Sequence, residues 1–479
     1  MIDHDVLAWG VSMLSAAIVV VGLLQNVIQL IQLIMAMIAL YFNPKVRLTS
    51  QLWRRFHESA PAISLMAPAY NEERTIVESV RSLLNQNYPQ FEVIVVNDGS
   101  KDRTLALLKD EFDLKPIRRA YRVAVPCATI RGIYAAERQP RLIVVDKVNG
   151  GKADALNAAI NIARSPLVCT IDADSLLEPG ALLRAAQPFI EDPERTIAVG
   201  GSINIANGCR IENGQIITVA ISRNVLALFQ TVEYLRAFLM ARLAWSQLNA
   251  LTIISGAFGL FDRHAVIEVG GYSRDTVGED MELVVKLHRW FRDRKRDYRI
   301  AYISEPVCWT EAPESLGDLA RQRKRWQRGA LETFVKHAGM LVHLRYGRVA
   351  ALGMSQVLLT DVLGPTVELL GYLAIPTFCL LNLISWEFFA AFLCVSVGFG
   401  VAISVGGLVL EEAHSRRVGR ASDLLVLLLF ALLENFGYRQ LSNLWRVQGT
   451  WQYLTGVKSW GGMTRKGFAR VQPRAKPAR

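Results

Sequence analysis

Residues 63–72 read ISLMAPAYNE, residues 93–100 read VIVVNDGS, residues 142–152 read LIVVDKVNGGK and residues 167–174 read LVCTIDAD. Each segment opens on an apolar run of strand length and ends in a polar cluster. Runs of this length, without alternation, suit strands buried on both faces. Helical patterns follow them at about 73–84, 102–111, 153–163 and 179–190. Strand and helix in alternation predict an open, mainly parallel α/β sheet with helices on both faces. Such sheets bind ligands beyond the carboxyl ends of their strands, where the four polar clusters lie. The intervening stretch 115–141 is rich in Arg and Pro, shows no clear period and reads as irregular.

Outward from this core the chain becomes greasy. Half of its 479 residues are hydrophobic (51%), and the mean hydropathy is +0.23. Leu7–Phe42 holds no charged side chain and exceeds the ~20 residues that span a bilayer. Lys45, Arg47, Arg54 and Arg55 follow, so the positive-inside rule sets residue 45 onward in the cytosol. Gln25, Asn26, Gln29 and Gln32 fall near one helical face, turned to other helices or set in an interfacial extension. A second apolar block, about 350–410, has room for two spans divided near 382–387. It carries Asp361 and Glu368, and intramembrane carboxylates line polar paths or pair with basic groups. Arg416, Arg417 and Arg420 mark the return to the cytosol. Leu424–Leu433 reads as a short third span or a re-entrant or interfacial helix.

The net charge of +11 is uneven: residues 446–479 hold eight Lys/Arg and no acid. With Trp445 just before it and Trp451 and Trp460 within it, that stretch reads as a membrane-surface tail; no nucleic-acid motif accompanies it. The six cysteines, Cys127, Cys169, Cys209, Cys308, Cys379 and Cys394, show no CxxC pair. Reduced thiols are expected rather than zinc or disulfides.

The acids have distinct chemical prospects. Asp98 in NDGS is also a plain turn residue. Asp172 and Asp174 place two carboxylates past a strand end, as Mg²⁺ or Mn²⁺ bound with phosphate oxygens requires; a solvated loop is the plain alternative. Gly150 and Gly151 let the backbone near Lys152 approach a ligand. Glu279 and Asp280 either favour a helix N-terminus or supply a general base. Residues 321–328 crowd five basic side chains around Trp326, either as an interfacial helix or as a contact for diphosphate and sugar.

In this order the motifs PAYNE (68–72), VVNDGS (95–100), NGGKADALN (149–157), DAD (172–174), SGAFG (255–259), GED (278–280) and QRKRW (322–326) are highly specific together. The chain resembles the membrane-embedded processive members of glycosyltransferase family 2: the cellulose, chitin, hyaluronan and poly-N-acetylglucosamine synthases. The resemblance covers about 60–335 closely. It implies a GT-A-type fold and an inverting transfer from a UDP-sugar, with UDP-GlcNAc or UDP-Glc favoured. The product would be a growing β-linked polysaccharide, and the metal Mg²⁺ or Mn²⁺. It assigns Tyr70, Glu72, Asp98, Lys152 and Asp172 to UDP, Asp174 to the metal and Asp280 to the base. Ser255, Gly256, Gly259, Glu279, Gln322, Arg325 and Trp326 would serve acceptor and diphosphate. Gly278 stands where the family often has Thr, and the apolar spans are fewer than in the largest synthases.

The implied organisation is a transmembrane helix at 1–44, a cytosolic catalytic domain at 45–312 and interfacial helices at 313–349. A membrane region at 350–441 and a basic tail at 442–479 complete it. The whole is expected to be a multi-pass protein of the cell membrane, with room for an export partner. A glycolipid synthase adding one or two sugars to a lipid, and a catalytically silent membrane scaffold, are the alternatives.

Overall fold

The computed structural model describes residues 4–42, 49–415 and 420–457. Its centre is a ten-stranded sheet. The strands are β1 (Ile63–Ala69), β2 (Phe91–Asn97), β3 (Leu114–Pro116), β4 (Ile130–Ala136), β5 (Gln139–Lys147), β6 (Leu167–Thr170), β7 (Ser175–Leu177), β8 (Thr196–Ile205), β11 (Gly259–Asp262) and β12 (Arg299–Thr310). A separate hairpin joins β9 (Arg210–Glu212) to β10 (Gln215–Thr218). The order across the large sheet is β3-β4-β5-β2-β1-β6-β11-β8-β12-β7. Strands β4, β7 and β11 run against the rest. The sheet is therefore mixed, with the expected parallel strands β5, β2, β1 and β6 side by side at its centre.

The apolar runs explain this centre. Ile63, Leu65, Met66, Val93, Ile94, Val95, Val96, Leu142 and Val144 are all buried, enclosed by helices on either face. The expected helices appear at Ile76–Leu84, Thr104–Phe112, Lys152–Ile162 and Ala181–Glu191. The stretch 115–141 is not irregular throughout. Leu114 pairs with Ala136, and Ile133 with Val145, so β3, β4 and β5 form an antiparallel edge. Strand β4 alternates weakly because it is half-buried near the edge, which hides it from a search for buried runs.

The helix Glu279–Asp293 carries the GED acids at its start and is pinned along its length. Glu282 is buried against His337 Nε2 (3.2 Å) and Lys286 Nζ (3.4 Å). Burial opposes its charge, but His337, Lys286 and Lys336 together hold its carboxyl at about 2. His288 is fully buried; Tyr298 Oη contacts its Nδ1 at 2.7 Å, and its Nε2 lies 2.8 Å from the Leu251 carbonyl. Burial lowers its pKa to about 4. Its unfolded value is about 6.5, so the unfolded chain binds the extra proton between those limits. Stability is then full above about pH 6.5 and falls as pH drops to about 4, by about 3 kcal/mol for this one group. Below about pH 4.3 Glu282 adds a loss of the same sign. Thermal midpoints measured from pH 7 to 4 should decline, and His288→Gln should flatten that decline.

Outside the sheet, the long helix His4–Phe42 packs against Gly364–Leu380 and Trp386–Ser415. Gly406 lies against Leu33, and Gly371 against Ile18, so bare glycines allow close helix crossings. Gln25 donates to the Leu359 carbonyl (2.6 Å) and Gln32 to Gln356 (3.0 Å). These amides therefore meet another helical segment, while Val20, Leu24, Val27, Ile31 and Ile34 face outward. Among the described residues two helices, Trp9–Phe42 and Trp386–His414, are long and apolar enough to cross a membrane. Two bent pairs, Val349–Val362 with Gly364–Leu380 (41°) and Ala421–Leu433 with Tyr438–Leu454 (57°), raise the number to as many as four.

The boundary expected at 442 is not a break, because it falls inside the helix Tyr438–Leu454. That helix lies on Leu316–His337, and Trp445 is buried beside Leu319 and Tyr438 rather than exposed at a surface. Arg446 bonds Gln327 Oε1 (2.9 Å) and Asp361 Oδ1 (3.1 Å). Arg439 grips both oxygens of Glu368 at 3.0 Å. The two carboxylates of the apolar block thus have basic partners. Lys45, Arg47, Arg416, Arg417, Trp460 and the tail from 458 lie outside the described residues. The cysteines make no disulfide; Cys169 and Cys308 are buried, and Cys394 is exposed.

Candidate active site

The polar clusters after β1, β2, β5 and β6 meet at one edge of the sheet. The first two clamp each other. Asn71 takes a positive φ of 57°, and its N–H donates to Ser100 Oγ (3.0 Å). Glu72 N–H donates to Thr104 Oγ1 (2.8 Å), and Thr75 donates to Glu72 Oε2 (2.8 Å). Tyr70 remains 45% exposed at the mouth, so its ring is open to a planar ligand.

Asp98 departs from expectation. It is buried, and its oxygens are engaged within the protein. Gly150 N–H donates to Oδ1 (3.0 Å), Gly151 N–H to Oδ2 (2.8 Å), and Lys147 pairs with Oδ1. Its observed part is to fold the 149–152 loop. Lys147 is fully buried between Asp98 and Asp154 (2.7 Å). Burial works against the charge of Asp154, yet Lys147, the Ala128 N–H and Arg274 hold its carboxyl below the usual range. Sequence reasoning missed Lys147 and Asp154. Their only signal is the charged rim of DKVNGGKAD, and only the folded loop shows that the two meet.

This loop delivers Lys152 to the centre. Its Nζ lies 2.6 Å from Asp172 Oδ1 and 3.4 Å from Glu279 Oε1. Burial disfavours the ammonium, but Asp172, Glu279 and Asp280 outweigh it and raise its pKa. Glu279 shifts upward, because burial and the Asp280 charge exceed the pull of Lys152 and Arg325. Asp280 is held from two sides: Met281 N–H donates to Oδ1 (2.8 Å) and Gly256 N–H to Oδ2 (3.0 Å). A β-carbon on Gly256 would stand 2.5 Å from Lys152 Nζ, so a side chain there would displace the lysine from its present place.

Lys152, Thr170, Ser255, Gly256, Tyr272, Glu279 and Asp280 line one small cleft of about 10 Å³. That is room for about one water, so a sugar enters only if side chains such as Lys152 move. Gly259 is not at the surface of this cleft. It sits within β11, where a β-carbon would meet Phe261 and Ile254.

The helix Leu316–His337 roofs the region. Arg325 is near enough to Glu279 to oppose its upward shift, and Trp326 is 42% exposed. Gln322 is buried, and Arg323 points away to Glu233 (2.6 Å) and Tyr438 (3.3 Å), stacked against Trp326 (4.5 Å). Gly329 and Gly278 bring the roof onto the Asp280 helix so closely that a β-carbon on Gly329 would lie 2.8 Å from Gly278 Cα. That accounts for glycine at 278: a larger residue would push the roof away.

A further group was not foreseen. The helix that begins at Val225 widens to π geometry over Leu235–Arg242, a distortion frequent at functional sites. It carries Arg242 over Phe238 (3.7 Å), within electrostatic reach of Tyr302 and Asp280. Burial lowers the pKa of this arginine, with Tyr302 and Asp280 opposing.

Asp172 and Asp174 follow β6; Asp174 is buried, and Asp172 faces the cleft beside Lys152. Among the described residues no group of three or more His, Cys, Asp or Glu side chains is arranged to hold a metal ion. Two hard carboxylate donors still fit a divalent cation that takes its remaining ligands from a diphosphate and water.

Residues 64–270 match the family model described as glycosyl transferase family 2. Poly-beta-1,6-N-acetyl-D-glucosamine synthase of Staphylococcus epidermidis is 29% identical over 288 residues, 60% of this chain and 59% of that protein. The synthase of Staphylococcus aureus is 30% identical over 275 residues, 57% and 56% respectively. The aligned part thus spans somewhat more than half the length of these relatives. Among solved structures, the mannosyltransferase PcManGT from Pyrobaculum calidifontis, in complex with GDP-Man and Mn²⁺, is 17% identical with a TM-score of 0.49. It covers 91% of this chain and 100% of that one.

Proposed function

We propose that this chain, whose residues 64–270 match the glycosyl transferase family 2 model and lie on a GT-A-type α/β sheet, is an inverting, UDP-sugar-dependent polysaccharide synthase of the cell membrane. UDP-N-acetylglucosamine is the first donor to test, because the relatives above polymerise N-acetylglucosamine. The observation that carries the reading is the placement of Asp280. Its carboxylate is fixed by two backbone N–H groups on the wall of a cleft shared with Lys152 and Glu279, beneath the QRKRW roof.

In this mechanism Asp280 accepts the proton of an acceptor hydroxyl as that oxygen attacks the anomeric carbon of the donor. The bond from the anomeric carbon to the diphosphate oxygen breaks, and its electron pair leaves with UDP. Attack from the opposite face turns an α-linked donor into a β-linked product. Asp172 and Asp174 would hold Mg²⁺ or Mn²⁺, which when bound neutralises charge on the departing diphosphate. Lys152 and Arg325 supply positive charge on the same side. Tyr70 would stack on the uracil ring and Glu72 would line its pocket, while Asp98 acts through the loop it folds. Trp326 and Ser255 would contact the acceptor sugar, with Gln322 supporting the roof.

The apolar outer face of His4–Phe42 supports a membrane setting; the bent apolar pairs support further passes, and the basic residues that follow Phe42 in the sequence support a cytosolic sheet domain. Purified protein given a panel of UDP-sugars and Mg²⁺ or Mn²⁺ should release UDP and form long products with one donor. Only single-sugar adducts on lipid would favour the glycolipid reading. No UDP release from any donor would sink both.

A further inference from the structure

The helix that begins at Glu279 and Asp280 ends at a second cavity. Arg195, Leu248, Asn249, Arg292, Arg296, Asp297, Tyr298, Gly347 and Arg348 enclose about 450 Å³, within the size range of ligand pockets. Arg292 is twelve residues along the helix from Asp280, roughly 18 Å at the helical rise. The cavity is therefore separate from the cleft, though the same rigid element joins them. Its lining is unbalanced: four arginines face one carboxylate. Asp297 is already paired with Arg195 (2.9 Å), and Arg296 is paired with Glu268 (3.1 Å). Arg292 makes no ion pair among the described residues, and its buried Nε has no hydrogen-bond partner. Arg348 is exposed and makes no ion pair among the described residues.

We propose that this arginine-lined cavity is an anion site that takes a phosphate ester. Guanidinium groups converging from the strand β12 approach, the helix end and the 347–348 turn suit a group with several charged oxygens, each accepting paired N–H bonds. The setting indicates where such a group would come from. Arg348 directly precedes Val349, the first residue of the bent apolar pair Val349–Val362 and Gly364–Leu380. If that pair enters the bilayer, the cavity opens at headgroup level and an acidic phospholipid is the natural source. A soluble phosphate is the other source of the same chemistry. A ligand here would bear on the cleft through two rigid connections. One is the Asp280 helix; the other is the helix through Arg242, which ends beside Leu248 and Asn249.

Full-length protein in neutral detergent provides the test. Short-chain phosphatidylglycerol, its phosphatidylcholine counterpart and inorganic phosphate are titrated separately while the thermal midpoint is followed. Phosphatidylglycerol should raise the midpoint of the wild type, and phosphatidylcholine should not. Each basic charge near such a ligand is worth about fivefold in affinity. Arg348→Gln should therefore shift half-saturation about fivefold, and Arg292→Gln with Arg348→Gln on the order of twentyfold. Arg348 is exposed and without an ion pair, so its single variant reports binding without a folding defect. The same shift with inorganic phosphate and none with phosphatidylglycerol assigns the cavity to a soluble ligand and still supports an anion site. Identical responses of wild type and variants to every probe would overturn the proposal.

Discussion

Asp280→Asn is expected to lower turnover by about a thousandfold or more, at the upper part of the range for loss of a general base, while UDP still binds. The side chain keeps its size, but an amide cannot take a proton from the attacking hydroxyl. It also cannot accept from both Gly256 N–H and Met281 N–H, since one side of Asn is itself a donor. A local cost of about 1 kcal/mol follows, too little to unfold the domain. Initial rates, a UDP-binding isotherm and a thermal midpoint on the same preparation separate the two effects. Glu279→Gln is the internal comparison. Its carboxylate is buried and faces the Lys152 ammonium at 3.4 Å, so it is placed to hold that lysine rather than to take the acceptor proton and should cost less. Equal losses in the two variants would move the base to the pair, and near-normal turnover in Asp280→Asn would refute the mechanism.

The second large effect comes from Gly329→Val. A β-carbon there would stand 2.8 Å from Gly278 Cα and 2.9 Å from Gly278 N. Backbone atoms cannot rotate away as a side chain can, so the roof helix and the Asp280 helix must separate. A displacement of about 1 Å between reacting groups can cost about a hundredfold in rate. A comparable loss is expected, with a lower thermal midpoint from overpacking, about 1–3 kcal/mol. Gly339→Ala, where a β-carbon meets nothing within 4 Å, should leave rate and midpoint unchanged. If Gly329→Val is also silent, the close approach of these helices has no bearing on the reaction.

These expectations rest on features of unequal visibility in the sequence. Strands β1, β2, β5 and β6 were legible because each is a dense apolar run closed by a polar cluster, a local pattern that needs no partner to be seen. The same logic located Asp172, Lys152 and Asp280 at strand or helix ends, and the fold brings these three together. What the sequence hid depends on contacts far apart in the chain. Strand β4 borrows its order from β5, so its own residues alternate too weakly to announce it. Asp98 sits in the motif expected at a nucleotide, yet its bonds run to residues 147–151. Nothing in VVNDGS states that direction. Arg242 became relevant only through a π-helical turn that aims it toward Asp280, and helix-period reasoning assumes regular turns. The helix Tyr438–Leu454 was read as surface tail because its tryptophans and arginines are typical of one. Its partners Gln327, Asp361 and Glu368 lie some 70 to 120 residues away in sequence.

That helix has a practical consequence. It backs the QRKRW segment along its length, with Gly449 set directly on the Lys324 carbonyl and Gln327 donating to both the Asp361 carbonyl and Thr450. A fragment of residues 49–345, made to leave out the apolar segments on both sides, would keep Asp98, Asp172, Asp174, Glu279 and Asp280. It would also strip the support from behind Arg325 and Trp326 and leave Gln327 and Arg323 without Asp361, Thr450 and Tyr438. Such a fragment should fold its sheet yet close poorly over substrate. The unit that would carry the proposed transfer therefore extends to the most C-terminal described helix, and the apolar segments between are structural members of that unit, not a detachable mooring.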